Sequence, residues 1–118
     1  MTGYEREWVA SRGLPDRTRL RTGLTTRGGT PVLFLLQLEY RTSDEWSMVA
    51  RFEHDAAGPP YRDVETVGLH LDMHHPNGRQ WAKRQDWEPM PAAEAMGDAE
   101  DYLRANAQRL IRRFEAWL

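Results

Sequence analysis

"LHLDMHHPNGRQWAKRQ", residues 69–85, carries the pattern that decides the fold. Leu69, Leu71 and Met73 alternate with His70, Asp72 and His74, the period of two that places apolar residues on one face of a β-strand and polar residues on the other. Asn77-Gly78 tolerates the positive φ that a type I′ turn demands at both central positions, so the spacing predicts a hairpin. With these as the two loop residues, the chain returns through "RQWAKRQDW". The predicted register sets His74 opposite Trp81, Asp72 opposite Lys83 and His70 opposite Gln85. A hairpin with one apolar face needs more strands beside it and a cover over that face.

Both are legible in the flanking chain. Arg17–Thr25 reads as a strand with Arg17, Arg19 and Arg21 on one side and Leu20, Thr22 and Leu24 on the other. "VLFLLQLEY", residues 32–40, is the most apolar segment and reads as the central strand. "WSMVARFEH", residues 46–54, alternates so that Trp46, Met48, Ala50 and Phe52 share the apolar side. Gly58-Pro59-Pro60 marks a long loop, after which Thr66–His75 is the fourth strand. Asp98, an N-cap residue type, opens an amphipathic helix to Leu118 with Leu103, Ala107, Leu110, Ile111, Phe114 and Leu118 as its apolar stripe. The expected fold is α+β: an antiparallel meander of five strands over residues 17–87, a C-terminal helix over 98–118 packed on one face, and a loosely ordered segment over 1–16.

Composition fits one domain of 118 residues, with 40% hydrophobic and 29% charged residues and a net charge of −2. Near-neutral charge argues against a general nucleic-acid coat, although it permits a local basic patch. Without cysteine there is neither a disulfide framework nor a thiolate metal site nor a cysteine nucleophile. No apolar run reaches signal-peptide or membrane-spanning length, so a cytoplasmic protein with no membrane partner is expected. No phosphate-binding glycine loop or nucleophilic serine signature is present, and no cofactor is implied.

The row His70, Asp72, His74 has two readings. A histidine beside a carboxylate can transfer protons near neutral pH, and a His-x-Asp pair can contribute to a metal site. One ion does not reach both histidines, which lie about 13 Å apart along a strand while metal–nitrogen bonds are about 2 Å. A further ligand must then come from His54, Asp55 or Asp63. The plainer reading is a solvated strand face in which Asp72 pairs with Lys83. Arg17, Arg19 and Arg21 are candidate phosphate contacts, although like charges on an edge strand also discourage edge-to-edge pairing. Trp46, on the apolar phase of its strand, is expected in the core.

The order "RFEHD" at residues 51–55, a Gly/Pro loop, a histidine-rich strand and a C-terminal amphipathic helix resembles the TumE-type small toxins of toxin–antitoxin pairs, over about residues 30–118. That family places two histidines directly after the acidic segment, whereas here His70-Leu71-Asp72 follows some fifteen residues later. The resemblance implies a toxin-like protein acting on RNA, with His70, Asp72, Arg51 and His54 as functional positions and a cognate antitoxin as partner. In this reading His70 is the acid/base group, Asp72 orients it, and Arg51, Arg17 and Arg19 contact phosphate. The alternatives are a non-catalytic interaction module, such as an immunity or assembly subunit using its tryptophans, and a metal-binding hydrolase or regulator. The RNA reading requires that Arg51 and His70 face one pocket.

Overall fold

A computed structural model describes residues 3–118. Six strands form one antiparallel sheet in sequential order: β1 (Arg6–Ala10), β2 (Thr18–Arg27), β3 (Thr30–Thr42), β4 (Glu45–Asp55), β5 (Leu71–His74) and β6 (Gln80–Arg84). A helix of one turn, α1 (Val64–Val67), precedes β5, and the long helix α2 (Ala92–Glu115) follows β6. The fold is α+β, a meander with one C-terminal helix across one face. That face carries Leu20, Leu24, Phe34, Leu36, Leu38, Phe52 and Leu71, which pack with Leu103, Ala107, Leu110, Ile111 and Phe114 of α2 in one core. Each large side chain fully buried there contributes about 1.5–3 kcal/mol.

Several expectations need correction. Among the described residues there are six strands, because "REWVA" pairs with β2 from Arg6↔Leu24 to Ala10↔Leu20. The loosely ordered start expected for residues 1–16 therefore contains a strand, while residues 1 and 2 lie outside the described residues. It also means that β2, with its arginines, is not an edge strand.

Helix α2 begins six residues before Asp98. Its first turns are the alanine-rich "AAEAMGDA", in which Ala92, Ala95 and Ala99 are buried. Alanine has the highest helix propensity, and its small side chain continues the packed stripe at positions that a search for large apolar residues passes over. The Ala92 N–H donates to Glu65 Oε2 at 2.9 Å, so a carboxylate satisfies an otherwise open amide at the positive end of the helix dipole.

The fourth predicted strand is shorter than expected. Thr66 and Val67 belong to α1, which Asp63 caps by accepting from the Glu65 N–H at 2.9 Å. The strand itself runs only from Leu71 to His74. Gly68 separates the two at φ +81° and ψ −178°, a conformation that essentially only glycine adopts.

The hairpin keeps Asp72↔Lys83 and Met73↔Ala82 as predicted, then shifts so that His74 faces Gln80 and Trp81 is the extra residue. The type I′ turn is not formed. The His75 carbonyl accepts from the Gly78 N–H at 2.9 Å and the His75 N–H donates to the Arg79 carbonyl at 2.8 Å. Only Gly78, at φ +88°, takes the left-handed conformation there. Pro76 cannot adopt positive φ but fits the first central position of an ordinary turn, so the loop has three residues and a bulge follows. His75 also lies near Trp81, with ring centroids 6.2 Å apart, while His74 and Trp81 still border one small pocket.

A second bulge corrects the placement of Trp46. Leu38 pairs with Ala50 but Glu39 with Met48, leaving Val49 extra. Residues before the bulge change face. Trp46 therefore sits half-buried on the face opposite the helix, with the Arg19 guanidinium 4.1 Å from its ring centroid.

Candidate functional site

The face not covered by α2 carries a row in register across the sheet. Arg21 pairs with Gln37, Gln37 with Arg51, Arg51 with Asp72, and Asp72 with Lys83. At its β4–β6 end this face sinks into a cleft of about 190 Å³ lined by Arg51, Glu53, His70, Asp72, Gln80 and Lys83. Tyr61 and Arg62, on the single 3₁₀ turn Pro60–Arg62, form its outer rim, and Tyr61 is 56% exposed. The structure thus brings together Arg51, His70 and Asp72 from the sequence-predicted set.

The other four lie elsewhere. His54 points to the core, because it differs by one from Glu53 in strand phase. It is buried, lies 5.2 Å from the Phe34 ring and accepts at Nδ1 from the Val64 N–H at 3.1 Å. Arg17 precedes β2 at φ +60°, which breaks the alternation that grouped it with Arg19 and Arg21. It lies in a groove with Tyr40 and Glu115 at the C-terminal end of α2. Arg19 and Arg21 do share the open face but are engaged by carboxylates, Arg19 with Glu39 at 2.6 Å and Arg21 with Glu7 at 3.0 Å.

Three cations and two carboxylates meet in the cleft. Arg51 Nε lies 2.9 Å from Glu53 Oε1, Arg62 reaches Glu53 at 4.0 Å, and Lys83 Nζ is 3.9 Å from Asp72 Oδ1. Burial lowers the pKa of His70, the Lys83 charge lowers it further, and Asp72 opposes both. Its imidazole is therefore neutral near pH 7 and able to accept a proton. Glu53, Tyr61, Arg62 and Gln80 escaped the sequence reading. For Glu53 the signal was available, since it shares strand phase with Arg51. The other three reach the site through a loop and a bulge that alternation does not describe. Among the described residues, no group of three His, Asp or Glu side chains is placed to hold a metal ion.

His54, His70 and His74 all have lowered pKa values, with burial the leading cause in each. For His54 the hydrogen bond from Val64 also requires an unprotonated Nδ1, so its 3.9 Å approach to Asp63 is not an ion pair at neutral pH. Below the unfolded imidazole value of about 6.5 the unfolded chain takes up protons that the folded chain refuses. Stability is therefore full above that pH, falls as pH drops below it, and levels off beneath the folded values. Urea midpoints between pH 7.5 and 5 should show this fall. His54→Asn, which retains an acceptor but does not titrate, should show a shallower one. An unchanged slope in this variant would remove His54 from the acid response.

The family model described as Domain of unknown function (DUF7718) matches residues 1–118. No curated protein and no solved structure matches the chain. No helix among the described residues is long and apolar enough to cross a membrane. A match over the full length places this chain in the DUF7718 family.

Proposed function

We propose that the protein acts on single-stranded RNA in the Arg51–His70 cleft, in the manner of a small ribonuclease toxin. The observation that supports this reading is the convergence of a neutral imidazole with Arg51, Lys83 and Arg62 in one solvent-open cleft. In the reaction, the ribose 2′-oxygen attacks the adjacent phosphorus and its proton passes to His70. The P–O5′ bond breaks, the 5′-oxygen takes a proton from water, and a 2′,3′-cyclic phosphate and a 5′-hydroxyl result. Arg51 stabilises the charge that accumulates on the phosphoryl oxygens, and Tyr61 at the rim offers a ring on which a neighbouring base can stack. Asp72 holds Lys83 and keeps His70 more basic than burial alone would leave it.

Binding to a short single-stranded RNA, followed by fluorescence anisotropy at several salt concentrations, tests the cationic half of this reading. Arg51→Ala should weaken binding about tenfold and reduce the salt slope by about 0.7, the loss of one phosphate contact on a single strand. Equal affinity and slope in both proteins would remove Arg51 from the interface. The search would then move to β1, an edge strand on which Trp8 is 44% and Val9 54% exposed, as the place where a protein partner adds to the sheet.

A further inference from the structure

Three buried side-chain atoms lack a protein hydrogen-bond partner among the described residues: Arg51 Nε, Asp72 Oδ1 and His74 Nδ1. They belong to one patch. Arg51 and Asp72 are cross-strand partners, and His74 follows Asp72 on the same face of β5, diagonal to Arg51. Only 6% of His74 is exposed, and it borders a small pocket shared with Val49, Met73 and Trp81 rather than the cleft itself. Glu53 Oε1 comes within 2.9 Å of Arg51 Nε but without the alignment that a hydrogen bond requires. Leaving three such atoms unpaired in one place is costly, and buried polar groups in native proteins are paired through protein or ordered water.

One molecule answers all three. A water among them would accept from the Arg51 Nε–H and donate its two hydrogens to Asp72 Oδ1 and to His74 Nδ1, the three bonds typical of a buried water. This requires the neutral His74 tautomer with its proton on Nε2. We propose that His74 is a positioning residue of this cleft: through one buried water it fixes the Arg51 guanidinium and the Asp72 carboxylate, and it does not touch substrate. The inference rests on the RNA reading only for the purpose of that positioning. The arrangement itself is independent of the ligand.

The test has a readout that needs no substrate. In nitrogen-15 NMR of the full chain at pH 7.5, His74 Nδ1 should appear unprotonated and Nε2 protonated, and the Arg51 Nε–H should exchange slowly with solvent. His74→Asn retains an acceptor near the Nδ1 position and should keep the slow Arg51 signal. His74→Leu should lose it and should weaken RNA binding about tenfold, the loss of one charge-assisted contact. A proton on His74 Nδ1 in the wild type overturns the proposal without any variant, even if His74→Leu fails to fold. So does an equally slow Arg51 Nε–H in folded His74→Leu. Expected NMR behaviour without RNA binding by the wild type would uphold the positioning and overturn the RNA reading instead.

Discussion

Gly68→Ala is expected to destabilise the protein by about 3 kcal/mol or more, a large part of the roughly 5–15 kcal/mol that holds a domain together. Two causes add. The backbone there, at φ +81° and ψ −178°, lies in a region costing other residues about 1–3 kcal/mol. A Cβ would also stand 2.1 Å from the Trp87 carbonyl oxygen and 2.9 Å from its carbon. Both are backbone atoms, so no rotamer change relieves the overlap. The 87–88 segment would have to retreat, drawing the Trp87 ring from Phe52 and Tyr102, each with its centroid 5.2 Å away. Urea unfolding followed by tryptophan fluorescence gives the loss directly. Gly97→Ala is the matched control: it lies inside α2 with nothing within 4 Å of its added Cβ, and should gain about 0.5–1 kcal/mol. A Gly68→Ala midpoint equal to wild type would mean that the crossing of residues 87–88 over Gly68 is not as described.

His70→Ala is expected to slow RNA cleavage by about 10²–10⁴-fold, the contribution of one positioned general base, while leaving the fold in place because His70 lies outside the core at the entry to β5. The pH profile carries the sign. In the proposed reaction the deprotonated imidazole is the active form, so the rate should rise with pH. Because burial and Lys83 lower its pKa, the rise is centred below the ordinary value of about 6.5. Asp72 raises the pKa of His70, so Asp72→Asn should move the rising limb to still lower pH. A limb that moves upward, or a His70→Ala enzyme with wild-type rate, would assign the base elsewhere.

Alternation and turn residues made the antiparallel meander, the C-terminal helix and the Asp72↔Lys83 pairing legible. What they missed are departures from alternation. The bulge at Val49 turned Trp46 from core to open face, and the bulge at Trp81 exchanged His74's partner. One extra residue inverts a strand's faces without altering its composition, and tertiary packing decides where it falls. Arg17 was misplaced by a single positive φ, and His54 entered through the resemblance and its place at the loop end, although its strand phase, shared with Phe52, turns it to the core. The pairing of Arg51 with Asp72 depends on β4 and β5 meeting across a fifteen-residue connection containing two helical turns. No local pattern fixes that register. The core supplies it, through Phe52↔Leu71 and Ala50↔Met73 on the buried side.

The most direct test of the central claim is to incubate the purified chain with an end-labelled single-stranded RNA, beside the same sequence as DNA, and to identify the ends produced. The cleft described here predicts RNA fragments ending in 2′,3′-cyclic phosphate and 5′-hydroxyl, intact DNA for want of the 2′-oxygen, and no fragments with folded His70→Ala. Intact RNA with the wild type, or fragments unchanged in His70→Ala, would contradict it.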